Sequence, residues 1–238
     1  MLAALGFLTI FGSARPPSSA TVRWFPLVGA AVGAVVGLVW WAASRAWRGP
    51  MVPAALAVAT DVVLTGMLHL DGLADSADGL LPHLDRERRL RVMSTPDVGA
   101  FGLVTTVAVL LLRFAAFGSQ HPDVALVVAL WCVSRSLMVV VVLLVPYARP
   151  EGGLASAFLG STSPVTIAAA SVGLLAGGVL AGWAGGTPAV VGVGVGVAAA
   201  GVLLWSARRR LGGFTGDVLG ATVVVSETVA LLVAGVHW

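Results

Sequence analysis

Long apolar runs alternate with short polar punctuation along nearly the whole chain. A membrane-crossing helix needs roughly 20 mostly apolar residues. Runs of that kind predict seven spans, at about 26–44, 51–70, 99–118, 124–146, 164–184, 187–206 and 217–236, divided by Pro, Gly and Arg. The first run, residues 1–12, is too short to cross, has no basic residue ahead of it and shows no clear small-residue cleavage site before the polar stretch 13–19. It predicts an interfacial or re-entrant helix rather than a cleaved signal. The expected fold is all-α: a polytopic integral membrane helical bundle of about seven transmembrane helices plus a short N-terminal interfacial helix, forming one domain over residues 1–238. Gly29, Gly33 and Gly37 recur every four residues on the first span, a spacing that lets helix backbones approach closely.

Composition narrows the class. The chain is 58% hydrophobic and 11% charged, against about a quarter charged in soluble domains, so no soluble domain is expected. All 14 basic residues are Arg, and none forms a run with stacking aromatics, which argues against nucleic acid as a partner. The lone Cys132 excludes an intramolecular disulfide and reads as a small buried hydrophobe.

The arginines orient the bundle. Assigned to alternate sides of the seven spans, Arg15, Arg23, Arg86, Arg88, Arg89, Arg91, Arg149, Arg208, Arg209 and Arg210 fall on the N-terminal side, and only Arg45 and Arg48 on the other. The positive-inside rule then puts the N-terminus and the loops 71–98, 147–163 and 207–216 in the cytoplasm. Asp71, Asp75, Asp78, Asp85, Glu87, Asp97, Glu151 and Asp217 gather at the same face.

One segment there carries evident chemistry: His69-Leu-Asp71-Gly72-Leu-Ala-Asp75-Ser-Ala-Asp78-Gly79. If the second span continues helically through it, the three aspartates stand at i, i+4 and i+7, within about 60° of one another on one face. Carboxylates so close repel unless a cation neutralises them. An oxygen-only ligand set favours Mg²⁺, which is held by few carboxylates and completes its shell with water and substrate phosphate. Acids at the C-terminal end of an apolar helix are disfavoured by its dipole, which argues against a merely solvated helix end. Gly72 and Gly79 leave room for a phosphate to approach. His69 points away from the acidic face of a regular helix, against a role as metal ligand, and His83, His121 and His237 read as solvent or interface residues.

Further residues surround this motif. Arg86, Arg88, Arg89 and Arg91 lie on a polar segment that reads as an interfacial helix, suited to phosphate or to anionic lipid. Arg208–Arg210 read as a topology signal. Gly212-Gly213-Phe-Thr215-Gly216-Asp217 leads into the last span as a candidate phosphate cradle, where Asp217 acts chemically or simply caps the helix. Asp61, Arg113, Arg135 and Glu227 fall within spans, should face the bundle interior, and read as buried ion pairs or as catalytic groups.

These residues together resemble the cobalamin synthase family, the adenosylcobinamide-GDP ribazoletransferases. The resemblance runs from Phe7-Leu8-Thr9 and Phe25-Pro26-Leu27-Val28-Gly29 through Thr65 to Gly79, then Arg91-Val-Met93, Gly99-Ala-Phe-Gly102, Ser134-Arg135, Tyr147-Ala148-Arg149 and Gly212 to Ala221. The chain departs from the family pattern at Thr95-Pro96, where an Asp-Ser pair is usual, and at Val224, where an acid usually stands three before Glu227. The resemblance implies an Mg²⁺-dependent phosphotransferase in a prokaryotic plasma (inner) membrane, its active site facing the cytoplasm. The cobinamide-side phosphate of adenosylcobinamide-GDP would pass to a ribose hydroxyl of α-ribazole or its 5′-phosphate, and GMP would leave. It implies Asp71, Asp75, Asp78 and Asp217 as catalytic, the first three as Mg²⁺ ligands, and Arg86, Arg89, Arg135, Arg149, Gly72, Gly79 and Gly216 as substrate-binding. The bilayer is a partner and a homo-oligomer is compatible with the sequence.

Two other readings are weighed. Asp75-Ser-Ala-Asp78-Gly79 resembles the start of the CDP-alcohol phosphotransferase signature, but Pro82 and His83 stand where that signature has Ala-Arg, and nothing from Gly99 to Pro122 is acidic. A transporter would place its charges near the midplane and often shows an internal repeat. No convincing repeat is found.

Overall fold

The computed structural model describes residues 1–12, 16–149, 152–160 and 162–236; Arg15, Glu151 and His237 lie outside them. The helices are α1 (Leu2–Leu8), α2 (Phe25–Ala46), α3 (Met51–Leu64), α4 (Leu68–Leu80), α5 (Arg86–Val92), α6 (Ala100–Gly118), α7 (Val124–Leu144), α8 (Pro164–Leu211) and α9 (Gly216–Ala234). Single 3-10 turns at Ser19–Trp24 and Leu154–Phe158 lie between them. Among the described residues five helices are long and apolar enough to cross a membrane, or six if α3 and α4 count as one bent span.

α8 is two crossings. Its 48 residues would reach about 72 Å, more than twice the roughly 30 Å hydrocarbon core. The chain reverses at Gly186, whose φ of 62° and ψ of −152° are reserved for glycine. The arms 164–185 and 187–211 pack side by side, with Leu174, Val193 and Ala200 sharing one cluster with Val133 and Leu137 of α7. They correspond to the expected spans 164–184 and 187–206.

α7 is the central helix, buried along most of its length. The glycine stripe of α2 lies against it. A Cβ at Gly29 would stand 2.5 Å from the Trp131 carbonyl oxygen, one at Gly33 2.8 Å from that of Val127, and one at Gly37 3.0 Å from the Val124 Cα. In lipid, where apolar solvent surrounds the helices, close backbone contact is a main source of association. Gly29→Val is therefore expected to destabilise the bundle by about 1–3 kcal/mol, as overpacking of a filled contact does. Thermal unfolding in detergent would measure it.

The expected span 51–70 ends early. α3 stops at Leu64, Gly66 and Met67 both take left-handed φ (57° and 61°), and α4 leaves at 87° to α3. The break is held from outside, because the Ile10 N–H donates to the Leu64 carbonyl at 2.9 Å. The acidic motif is thus a helix of its own. It lies across the starts of α6 and α9 at the arginine-rich end of the bundle.

Buried charge ties four helices together beneath it. Arg113 on α6 reaches Asp61 on α3 and Glu227 on α9, each at 2.5 Å. Arg135 on α7 pairs with the other Glu227 oxygen. Trp131 Nε1 donates to Asp61 at 2.8 Å, Ser134 to Glu227 at 2.7 Å, and Arg113 Nε to Thr228 at 2.8 Å. Two cations meet two anions with their hydrogen-bonding capacity largely filled, the condition under which buried charges are tolerated. The pairing expected for these four residues is present.

Candidate active site

Four segments meet at the arginine-rich end. α4 crosses α9 so closely that a Cβ at Gly72 would stand 2.7 Å from the Asp217 carbonyl oxygen, and one at Gly220 3.3 Å from the His69 Cα. The loop after α7 is pinned to the turn before α9 by two main-chain bonds, Ala148 N–H to Phe214 O at 2.8 Å and Phe214 N–H to Pro146 O at 2.9 Å. A side chain at Gly213 would overlap the Pro146 carbonyl, so the two loops can touch only with glycine there. Tyr147 and Arg149 are thereby fixed beside the first turn of α9. The 3-10 turn Leu154–Phe158 closes the remaining side.

Between them lies a cavity of about 100 Å³, lined by the polar residues His69, Asp71, Tyr147, Arg149 and Asp217 and by Phe7, Met138, Leu154 and Leu219 among the apolar ones. Pockets for whole drug-sized molecules run to roughly 300–1,000 Å³. This one is too small to enclose a whole molecule of that size.

The carboxylates form an electrostatic group. Asp75 is raised from its ordinary 3.8 to about 7, first by burial, then by the charges of Asp217 and Asp71, with Arg149 pulling the other way. Asp217 is paired to Arg149 at 2.7 Å, and the same Arg149 nitrogen donates to the Met93 carbonyl at 3.0 Å. Thr215, not Asp217, caps α9, accepting the Val218 N–H at 3.3 Å. Asp217 is therefore not a simple cap.

Several expected site residues are occupied elsewhere. Asp78 is 6% exposed, and its oxygens accept the N–H groups of Gly99 at 2.7 Å and Gly102 at 2.9 Å. It anchors the orphan donors at the start of α6, the job of a capping side chain supplied from another helix. Gly72 and Gly79 are packing positions, against Asp217 and Met93 respectively, rather than clearances for phosphate. Arg89 donates to the Gly79 and Leu80 carbonyls at 2.6 and 3.0 Å, and Arg210 also reaches Leu80 O. Arg86 donates to Leu211 O at 2.7 Å and Ala148 O at 3.0 Å. These cations satisfy helix C-terminal carbonyls, where the dipole favours positive charge. Arg135 belongs to the buried network. Asp71 stands in the first turn of α4, where the dipole favours an acid. Asp71 does not stand at the C-terminal end of an apolar helix as expected, because α3 and α4 are separate helices.

Arg149, Asp71, Asp217 and Gly216 do come together around the cavity, and Asp75 feels the charges of the first three without lining it. Its other polar residues, His69 and Tyr147, are not in the expected site. The facing angle on a continuous helix hides His69, and Tyr147 carries no charge to draw notice; its place in the Tyr147-Ala148-Arg149 string was the available signal.

The set suits Mg²⁺. Among the described residues no three acidic, His or Cys side chains converge as a ready-made metal cage. Mg²⁺ does not need one, since one or two carboxylates plus substrate phosphates are its usual holders. Asp71, exposed on the cavity's lining, and Asp75, one turn farther along α4 and partly buried, lie outside the hydrogen bonds that occupy Asp78 and Asp217 and are donors of that kind.

The family model described as cobalamin-5-phosphate synthase matches residues 1–235. Among curated relatives, the adenosylcobinamide-GDP ribazoletransferase of Leptothrix cholodnii is 39% identical over 228 residues, 90% of this chain and 83% of that protein. The protein of the same name from Bradyrhizobium diazoefficiens is 37% identical over 240 residues, covering 97% and 91%. That of Chlorobium phaeovibrioides is 33% identical over 241 residues, covering 99% and 96%. No solved structure matches the chain.

Proposed function

The chain belongs to the cobalamin-5-phosphate synthase family, and from that premise we propose that it transfers the cobinamide-side phosphate of adenosylcobinamide-GDP to a ribose hydroxyl of α-ribazole or its 5′-phosphate, with GMP as the leaving group. The observation that carries the reading to particular residues is the meeting of Asp71, Asp217 and Arg149 at one small cavity, with Asp75 within reach of their charges.

The chemistry needs a diphosphate held still and its charge offset. Asp71 and Asp75 would hold Mg²⁺, which when bound supplies electrostatic stabilisation of the diphosphate. Arg149, fixed by Asp217 and Met93 O, keeps its Nε free to bind a phosphate oxygen. Asp217 sets that guanidinium and, through its charge, raises the proton affinity of Asp75. Phe7, Met138 and Leu154 keep water from the reacting oxygen. The hydroxyl oxygen bonds to phosphorus as the bond to GMP breaks, and the hydroxyl proton passes to a carboxylate of the acidic group that is not engaged by metal. A single displacement of this kind requires no covalent enzyme intermediate. The arginine distribution supports a site facing the cytoplasm from the plasma membrane.

Purified protein in liposomes, given both substrates, is expected to release GMP only with Mg²⁺ present, to stop on EDTA and to restart on Mg²⁺ repletion. GMP release without the acceptor, or none from well-folded protein, would count against the reading.

A further inference from the structure

The loop after α7 brings the Tyr147 side chain to the cavity with nothing in the protein to bond its hydroxyl. Tyr147 Oη is buried and has no hydrogen-bond partner among the described residues, and the same holds for the Nε of Arg149. Buried polar atoms without partners are rare in folded proteins, and a buried tyrosine hydroxyl usually finds one. The two groups are close neighbours. A Cβ at Gly153 would stand 2.6 Å from Tyr147 Oη and 3.9 Å from Arg149 Nη1, so phenol and guanidinium border one spot.

The backbone holds that hydroxyl in place. Tyr147 stands between the two main-chain bonds that pin its loop to the turn before α9, and its ring lies edge-on to that of Phe214, with centroids 5.3 Å apart. Phenylalanine would fill the same volume. The phenol oxygen therefore adds nothing to the fold, and burying it unbonded is unfavourable. What it can do is donate. A phenol keeps its proton at neutral pH, and both it and the Arg149 Nε–H are donors. The cation beside it favours a charged acceptor, to which hydrogen bonds are about twice as strong as those between neutral groups.

We propose that Tyr147 binds substrate: its hydroxyl and Arg149 Nε donate together to oxygens of the phosphate under attack. This rests on the transfer reaction above, in which Arg149 holds that phosphate, and adds to it a second, uncharged donor. A donor set in advance at a reacting phosphate needs no reorganisation as charge shifts, so its loss should fall on kcat.

Wild-type GMP release in liposomes comes first, and its absence would sink the reaction itself. Tyr147→Phe is then melted and assayed beside the wild type. Without substrates its thermal midpoint is expected to equal or exceed that of the wild type, because only an unbonded oxygen is removed. Its kcat should fall about ten- to hundredfold, the worth of a hydrogen bond to a charged group. The fall should be the same with α-ribazole and with its 5′-phosphate as acceptor. A merely structural role would not separate turnover from stability in this way. An unchanged kcat would overturn the proposal while leaving the reaction standing. A midpoint well below wild type would give the hydroxyl a structural partner and overturn it too. So would a loss seen only with the phosphorylated acceptor, which would move the contact to that acceptor's own phosphate.

Discussion

Asp75→Asn is expected to lower kcat for GMP release by at least about a hundredfold, and on the order of a thousandfold, without loss of fold. Losing one preorganised group that stabilises developing charge costs about that much. Asp75 is half-buried and feels the charges of Asp217 and Asp71, so it holds its proton up to about 7. The amide keeps the shape and removes the charge that would bind metal. The pH dependence follows with a definite sign. A carboxyl raised from 3.8 to about 7 by folding stabilises the metal-free protein while protonated, and that contribution is lost as pH rises from about 4 to about 7. In EDTA, the thermal midpoint of the wild type should therefore fall across that window more than that of Asp75→Asn. Because the proton and Mg²⁺ compete for the same carboxylate, the Mg²⁺ needed for half-maximal rate should drop as pH passes upward through about 7. Detergent melts and Mg²⁺ titrations at several pH values would read both. An Asp75→Asn enzyme with wild-type turnover would remove Asp75 from the chemistry.

The second large effect concerns stability. Arg113→Leu leaves Asp61 with only the Trp131 donor and strips one partner from Glu227, inside the bundle. Breaking a buried pair on one side costs about 3–5 kcal/mol, while replacing both partners with apolar groups is often near neutral. The single variant is expected to be recovered in poor yield and to melt far below wild type. Asp61→Leu with Arg113→Leu should restore most of the loss, leaving Arg135 and Glu227 as a complete pair. A double variant no more stable than the single would mean that the network acts through shape rather than charge balance.

Much of this was legible in the chain. The apolar runs mark the helices, down to the two arms either side of Gly186, because a span of lipid leaves an unmistakable length of apolar sequence. The Gly29, Gly33 and Gly37 stripe announces a close helix neighbour, and the four intramembrane charges have few places to go but each other. The right-angled break at Gly66 and Met67 was not legible. Hydropathy runs through it unchanged, and the contact that helps hold it comes from Ile10, far away in sequence. The contacts of Asp78 were hidden for a related reason. Its partners are main-chain N–H groups of Gly99 and Gly102, which every residue possesses, so no side-chain pattern reports them. Arg86 and Arg89 mislead likewise, because a guanidinium that satisfies carbonyls looks, in sequence, the same as one that waits for phosphate.

The buried network also bears on biogenesis. Its charges sit on α3, α6, α7 and α9, and the last of these is the latest to leave the ribosome. Until α9 docks, Asp61, Arg113 and Arg135 carry one uncompensated positive charge within the bilayer. Arrival of Glu227 brings that sum to zero. A nascent chain stalled before this helix would carry that imbalance, so docking of α9 completes the bundle in charge as well as in packing.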